Sequence, residues 1–402
     1  MSRHSASGQP HSTKTHEIES LPWGGLLALA MAGFICIMTE TLPAGLLLQI
    51  SSGLGVSESL TGQLVTFYAL GSVAAAIPIV TATRGWRRRP LLLSCIIGFL
   101  IFNTVTAISS HYILTIIARF FAGVSAGVLW GITAGYARRM VPDRLKGKAM
   151  AVAMVGTPLA LAFGVPIGTF LGSLIGWRLV FLLMSLLALA LVVWVIWKFP
   201  DFPGQKAENK PLHEVITLPG MLSVLMVVFA WVLAHNILYT YIAPYLAQAG
   251  LSRRTDVILL LFGVSSVIGI WLIGVLIDSW LRELVVISLI GFAVASIFLG
   301  LGISEPVVIY IGVVIWGLTF GGAATLLQTA SAESAGENAD VAQAMLVTSW
   351  NLAIGGGGVV GGILLEQLGV QTLPWALVLL VVFALIIVLQ AKRKGFPKKV
   401  RN

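Results

Sequence analysis

The chain has 402 residues, of which 57% are hydrophobic and 10% charged. That is too little charge to coat a water-soluble fold of this length, and apolar runs long enough to cross a bilayer recur from end to end. The net charge of +9 does not indicate nucleic acid, because the basic residues cluster at the ends of the apolar runs.

Reading apolar runs between polar or Gly/Pro breaks predicts twelve helices: 22–49, 59–82, 90–108, 112–138, 147–171, 176–198, 219–247, 255–278, 284–302, 306–330, 341–365 and 372–391. The first follows a polar segment with no small-residue cleavage site and reads as a retained span, not a signal peptide. The expected organisation is a tail (1–21), a six-helix bundle (22–198), a polar linker (199–218), a second six-helix bundle (219–391) and a basic tail (392–402). Both cysteines, Cys36 and Cys95, fall inside apolar runs, so neither a disulfide nor a metal site is expected.

Of 25 Lys and Arg, 21 lie in the two tails and the even-to-odd loops, three (Arg178, Arg253, Arg254) in the odd-to-even loops, and one, Arg119, inside a span. The positive-inside rule therefore puts both termini in the cytoplasm. The run RGWRRRP (84–90) is most simply a determinant of that topology.

The stretch ICIMTETLP (35–43) places a glutamate in the first span. Only Glu40, Arg119 and His235 are ionisable and clearly intramembrane. Such groups are expensive and mark functional positions. Helix one runs outward and helix four inward. Counting about 1.5 Å per residue places Glu40 and Arg119 at the same depth, roughly 7 Å to the outer side of the bilayer centre. A pair is geometrically possible if the two helices are neighbours. A static ion pair would add little stability, which favours a working role.

Several stretches together resemble the drug:proton antiporter-1 branch of the major facilitator superfamily, close to bacterial sugar, arabinose-like and purine-nucleoside efflux transporters. They are TETLPAGLL (39–47), GQLVTFYALG (62–71), RRRPLLL (87–93), ARFFAGVSAGVLWGITA (118–134), GVPIGTFLGSLIGWR (164–178), AHNILYTYIAPYL (234–246) and DVAQAMLVTSWNLAIGGGG (340–358). The resemblance implies an all-α fold of two pseudo-symmetric six-helix bundles around a cavity lined by helices 1, 4, 7 and 10. It also implies a bacterial cytoplasmic-membrane location.

Arg119-x-x-x-Gly123-x-x-x-Gly127 matches the helix-four motif whose arginine is linked to proton coupling. Gly164, Pro166 and Gly168 form a degenerate antiporter signature in helix five. Arg88 belongs to the loop 2–3 motif, in which Thr83 stands where an Asp is usual, while Gly274 and Asp278 keep the counterpart after helix eight. Aligning Gly317-x-x-x-Gly321 with Gly123-x-x-x-Gly127 puts Val313 in the place of Arg119.

The second half thus lacks the charges of the first. It offers His235, Asn236, Tyr239 and Tyr241 on helix seven, with Gln328 and Asn351 as further cavity candidates. We read proton chemistry in the first half and substrate hydrogen bonding in the second. The expected function is proton-coupled efflux of small solutes, sugars or related polar metabolites first. Multidrug or nucleoside export, import, and a non-transport scaffold are the alternatives. The expected partners are protons, a small solute and lipid. No cofactor beyond the proton gradient, no nucleic acid and a monomeric state are expected. An enzyme is not expected, since no His-Glu-x-x-His or paired intramembrane Asp motif is present.

The 21-to-3 asymmetry of Lys and Arg yields a test. A cysteine replacing Ala207 should escape an impermeant thiol reagent in intact cells. Efficient labelling would reverse the orientation.

Overall fold

The computed structural model describes residues 21–204 and 215–397 except 77, 84 and 393, with backbone alone at 337, 339 and 340. Most of the two tails, and the linker residues around Ala207, lie outside the described residues. Every regular element among the described residues is helical. The spans are α1 (Trp23–Gly45), α2 (Glu58–Ala82), α3 (Arg88–Ile108), α4 (Tyr112–Arg139), α5 (Asp143–Ile175) and α6 (Trp177–Lys198) in the first half. In the second half, α7 is Met221–Thr240, continued by Ile242–Gln248.

A helical run Thr255–Leu301 follows, broken only at Trp280, where the backbone leaves helical geometry. Its 47 residues would extend about 70 Å if straight, twice a hydrocarbon core. It therefore makes two crossings, α8 before Trp280 and α9 after it. The chain ends with α10 (Pro306–Phe320, continued by Ala323–Ala335), α11 (Ala339–Gln367) and α12 (Leu373–Gln390). Among the described residues this makes twelve crossings in two six-helix bundles, as the sequence predicts.

Proline explains one departure from the predicted spans. The run at 219–247 is interrupted at Tyr241, because the Pro244 ring crowds the carbonyl four residues earlier, at Thr240. The first span is also interrupted, at Leu46.

Glycine sets the helix spacing. A Cβ at Gly123 or Gly127 would collide with the backbone carbonyls of Tyr68 and Ser72 on α2, and one at Gly71 with the Phe120 carbonyl on α4. The second half repeats the device: Gly317 and Gly321 lie on the Phe262 and Ser266 carbonyls of α8, and Gly269 on that of Leu318. Without water to drive helices together, backbone approach of this kind supplies the packing.

In α5 the same device faces α1 at Gly156, on the Ala30 carbonyl, while Gly164 and Gly168 make room for the side chains of Phe34, Met38 and Leu42. A π-helical turn at Ala160–Gly164 precedes buried Pro166, widening the helix where proline withholds an N–H.

The halves meet along two seams. In one, α5 lies against α8, with Gly263 on the Ala162 backbone. In the other, α2 lies against α11. There Thr66 Oγ1 donates to the Gly355 carbonyl (3.2 Å), Gln63 Nε2 to that of Gly358 (3.2 Å), and Tyr241 Oη to Gly358 (2.7 Å). All of these bonds lie on the side of the membrane away from the chain ends.

On that side the basic run holds the start of the linker to the first half. Arg87 Nε pairs with Asp201 Oδ2 at 2.5 Å, and the Arg89 N–H donates to Asp201 Oδ1 at 3.0 Å. Slight burial pushes the Asp201 carboxyl up, but these donors outweigh it and hold it below the ordinary aspartate value. The Arg88 N–H donates to the Phe202 carbonyl (2.9 Å). Thr83, where the motif's Asp is absent, bonds only carbonyls of its own helix. Arg282 does the equivalent for the second half, donating to the Val388 and Phe396 carbonyls at 2.8 and 2.7 Å. Asp278 is exposed, and a Cβ at Gly274 would meet nothing within 4 Å.

Gly123→Ala should destabilise the α2–α4 contact by about 1–3 kcal/mol, the usual cost of overpacking. Gly135→Ala, in open space on the same helix, is the control. Thermal unfolding in detergent should show a lowered midpoint for the first variant and none for the second.

Candidate functional site

Two clusters face each other across the middle of the molecule. The first is built on α1, α2 and α4. Arg119 is fully buried. Its Nε donates to the Leu64 carbonyl (3.3 Å), its Nη2 to the Glu40 backbone carbonyl (3.4 Å), and its guanidinium lies 4.8 Å from the centre of the Tyr68 ring. Helices one and four are thus neighbours, as pairing requires. Tyr68 is held in turn by Cys36, whose carbonyl accepts from Tyr68 Oη at 2.9 Å.

The Glu40 side chain is not ion-paired with this guanidinium: among the described residues no salt bridge joins them. Arg119 Nη1 is buried with no hydrogen-bond partner. The cluster therefore holds a spare guanidinium donor and, nearby, a carboxylate that retains 8% exposure. Below them Asn103 Nδ2 donates to Thr39 Oγ1 (2.9 Å).

The second cluster is built on α7, α8 and α10. The His235 ring stacks on Phe320 at 3.7 Å with an interplanar angle of 4°. Tyr239, Phe262 and Trp316 surround it at 5.1, 5.7 and 5.3 Å. Trp316 Nε1 donates to His235 Nδ1 at 3.2 Å. The helix that carries Glu40, α1, packs against α7, which carries His235 and Tyr239, and this joins the two clusters across the halves.

The other candidate residues fall in different places. Asn236 and Asn351 are buried to 8% and 7% exposure, and each amide donates to its own helix, at Val232 O (2.8 Å) and Val347 O (2.9 Å). Tyr241 is not brought to the His235 cluster. The turn before Pro244 carries it into the α2–α11 seam, where its hydroxyl bonds Gly358 and, at 3.3 Å, the Ser59 carbonyl. Gln328 lies two turns beyond Phe320 on α10 and is exposed.

The sequence reading passes over Tyr68, Phe262, Trp316 and Phe320. The available signal was the pair of aromatics one turn apart on α10, at 316 and 320. The reading that no Gly-x-Ser-x-Gly string is present is also corrected: GVSAG stands at 123–127. That string is no nucleophile elbow, because it lies mid-helix and Ser125 Oγ is bonded to the Phe121 carbonyl at 3.2 Å.

The family model described as Major Facilitator Superfamily matches residues 29–357. A probable sugar efflux transporter of Mannheimia succiniciproducens is 28% identical over 360 residues, 87% of this chain and 89% of that protein. The purine ribonucleoside efflux pump NepI of Escherichia coli K12 is 28% identical over 377 residues, 92% of this chain and 95% of that protein. Among solved structures, a bacterial homologue of the human lysosomal transporter Spinster superposes with a TM-score of 0.67 at 16% identity, covering 94% of this chain and 98% of that one. The human organic anion transporter MFSD10 gives 0.67 at 16% identity, over 92% of this chain and 100% of that one. The chain belongs to the Major Facilitator Superfamily and is a multi-span membrane transport protein, not an enzyme.

Proposed function

We propose that the protein exports a small polar solute bearing a planar ring, of the nucleoside class, in exchange for protons across the bacterial cytoplasmic membrane, with both termini inside. The observation that carries the proton part is the arrangement at Glu40. A carboxylate without an ion pair stands beside a buried guanidinium with one unused donor, Nη1. Arginine keeps its proton throughout a cycle, so the glutamate is the group able to switch charge. A protonated Glu40 has no need of the guanidinium. On losing its proton towards the side of the chain ends, the carboxylate can turn to Nη1 and form the missing pair. Opening on the opposite side breaks the bonds of Gln63 and Thr66 to α11 and that of Tyr241 to the Ser59 carbonyl on α2, and reloads the proton. Alternating access of this kind rocks two bundles around a central site.

The substrate part is supported by the wall opposite Glu40. His235 on Phe320, with Trp316 and Tyr239 around them, presents aromatic faces together with imidazole and amide groups. Free sugars engage sites chiefly through hydroxyls. A nucleoside adds a flat ring for such faces, which favours the nucleoside reading over the sugar reading. The two relatives carry these two substrate names, and a wall of aromatic surface alone would favour apolar drugs.

Everted vesicles with an imposed pH gradient test both parts. Glu40→Gln holds the neutral state with nearly unchanged shape. It should abolish gradient-driven accumulation of a radiolabelled purine nucleoside while leaving gradient-free counterflow intact. Accumulation by Glu40→Gln would remove Glu40 as the coupling group. In the same vesicles His235→Ala and Asn236→Ala should each weaken apparent affinity a few-fold, the loss of a hydrogen bond worth about 0.5–1.5 kcal/mol. Unchanged affinity in both would place the solute elsewhere.

A further inference from the structure

The indole N–H of Trp316 can only donate a hydrogen bond. At 3.2 Å from His235 Nδ1, it requires that nitrogen to be an acceptor. A neutral imidazole then carries its single proton on Nε2. The indole has no freedom to release this constraint. Trp316 is 1% exposed, its ring lies 4.6 Å from that of Phe262, and its neighbour Gly317 seats α10 on the α8 backbone.

No acceptor among the described residues takes up His235 Nε2. Next to it on α7, Asn236 gives one amide N–H to its own helix, as Asn351 does on α11, and each keeps a second N–H and a carbonyl oxygen. Such an amide can meet either role in a solute, whereas the His235 Nε2–H can only donate. A sugar hydroxyl turns to suit either role, so fixing a tautomer gains nothing against it. A heterocycle has ring nitrogens and carbonyls whose roles cannot change, and against these a fixed tautomer discriminates.

We propose that Trp316 is a positioning residue that locks His235 as the Nε2–H tautomer, and that the lock selects planar heterocycles carrying an acceptor on the edge that meets Nε2. This rests on the nucleoside reading of the same site for its ligand, but the lock itself does not.

Two measurements separate these. Nitrogen NMR of histidine-labelled protein, with the His235 signal assigned by its loss in His235→Gln, should show an unprotonated Nδ1 and a protonated Nε2. In Trp316→Phe the preference should fall towards a mixture. A protonated Nδ1 in the wild type, or an unchanged spectrum in Trp316→Phe, overturns the lock. The wild-type spectrum decides this even if Trp316→Phe does not fold.

In the second measurement, binding of guanosine, 3-deazaguanosine and 7-deazaguanosine is compared in detergent without a gradient. One deaza analogue should bind the wild type a few-fold to about tenfold more weakly than guanosine. Trp316→Phe should level that difference; binding of L-arabinose by the wild type is measured alongside. Equal ratios in wild type and variant overturn the selectivity. Arabinose binding with no guanosine binding overturns the nucleoside reading and the selectivity with it, and leaves the NMR result to judge the lock. Because no proton gradient is present, failure of coupling at Glu40 affects neither measurement.

Discussion

Backbone-to-backbone contact through glycine is what the rest of this molecule depends on. In a bilayer the lipid tails are as apolar as leucine, so burying apolar side chains between helices gains little. Close approach gains dispersion contact instead, and it requires positions where a Cβ would collide with a neighbouring carbonyl. Gly71, Gly123 and Gly127 fix α2 to α4, and Gly269, Gly317 and Gly321 fix α8 to α10 in the same way. The two bundles are built by one rule, and the functional side chains are placed relative to these contacts. Arg119 lies one turn before Gly123, and Trp316 directly before Gly317.

The rule is symmetric, and the chemistry placed on it is not. Where α4 carries Arg119 over the Tyr68 ring, α10 carries Val313, and Phe262 is met by Trp316 and His235 instead. A charge that cannot be removed thus occupies one half and a neutral aromatic wall the other. Desolvating a charge is costly unless its donors are used, and Arg119 gives two of its five N–H groups to the carbonyls of Leu64 and Glu40. Its Nη1, which bonds nothing, is what makes a second arrangement with the Glu40 carboxylate available. On the proposed function, this division lets proton handling and solute recognition differ in chemistry.

The seams explain how these clusters can respond to each other. Tyr241 leaves the wall at the break before Pro244 and ties α7 to α2 and α11 through its hydroxyl. Any motion that opens that side must take α7 with it, and α7 carries His235 and Tyr239. On the opposite side the linker start is pinned to the first half by Arg87, Arg89 and Asp201, and the segment after α12 to the second by Arg282. Each half therefore moves as a unit with its own connecting chain.

The sequence by itself determined the twelve crossings, the two-bundle architecture and the family, because long apolar runs and their polar breaks are local properties of the chain. It also singled out Glu40, Arg119 and His235, since an ionisable residue within an apolar run stands out without any knowledge of neighbours. Depth along two antiparallel helices was enough to bring Glu40 and Arg119 to one level. Only the tertiary structure decided what each side chain faces. In a membrane both the lipid face and the interior face are apolar, so periodicity does not mark the interior. Phe262, Trp316 and Phe320 therefore read like any other packing aromatics until α7, α8 and α10 are brought together. For the same reason the sequence could not tell that Arg119 turns to backbone carbonyls and not to the Glu40 carboxylate, or that Tyr241 belongs to a seam. Those outcomes depend on side-chain direction across helix contacts, and glycine spacing alone leaves that direction open.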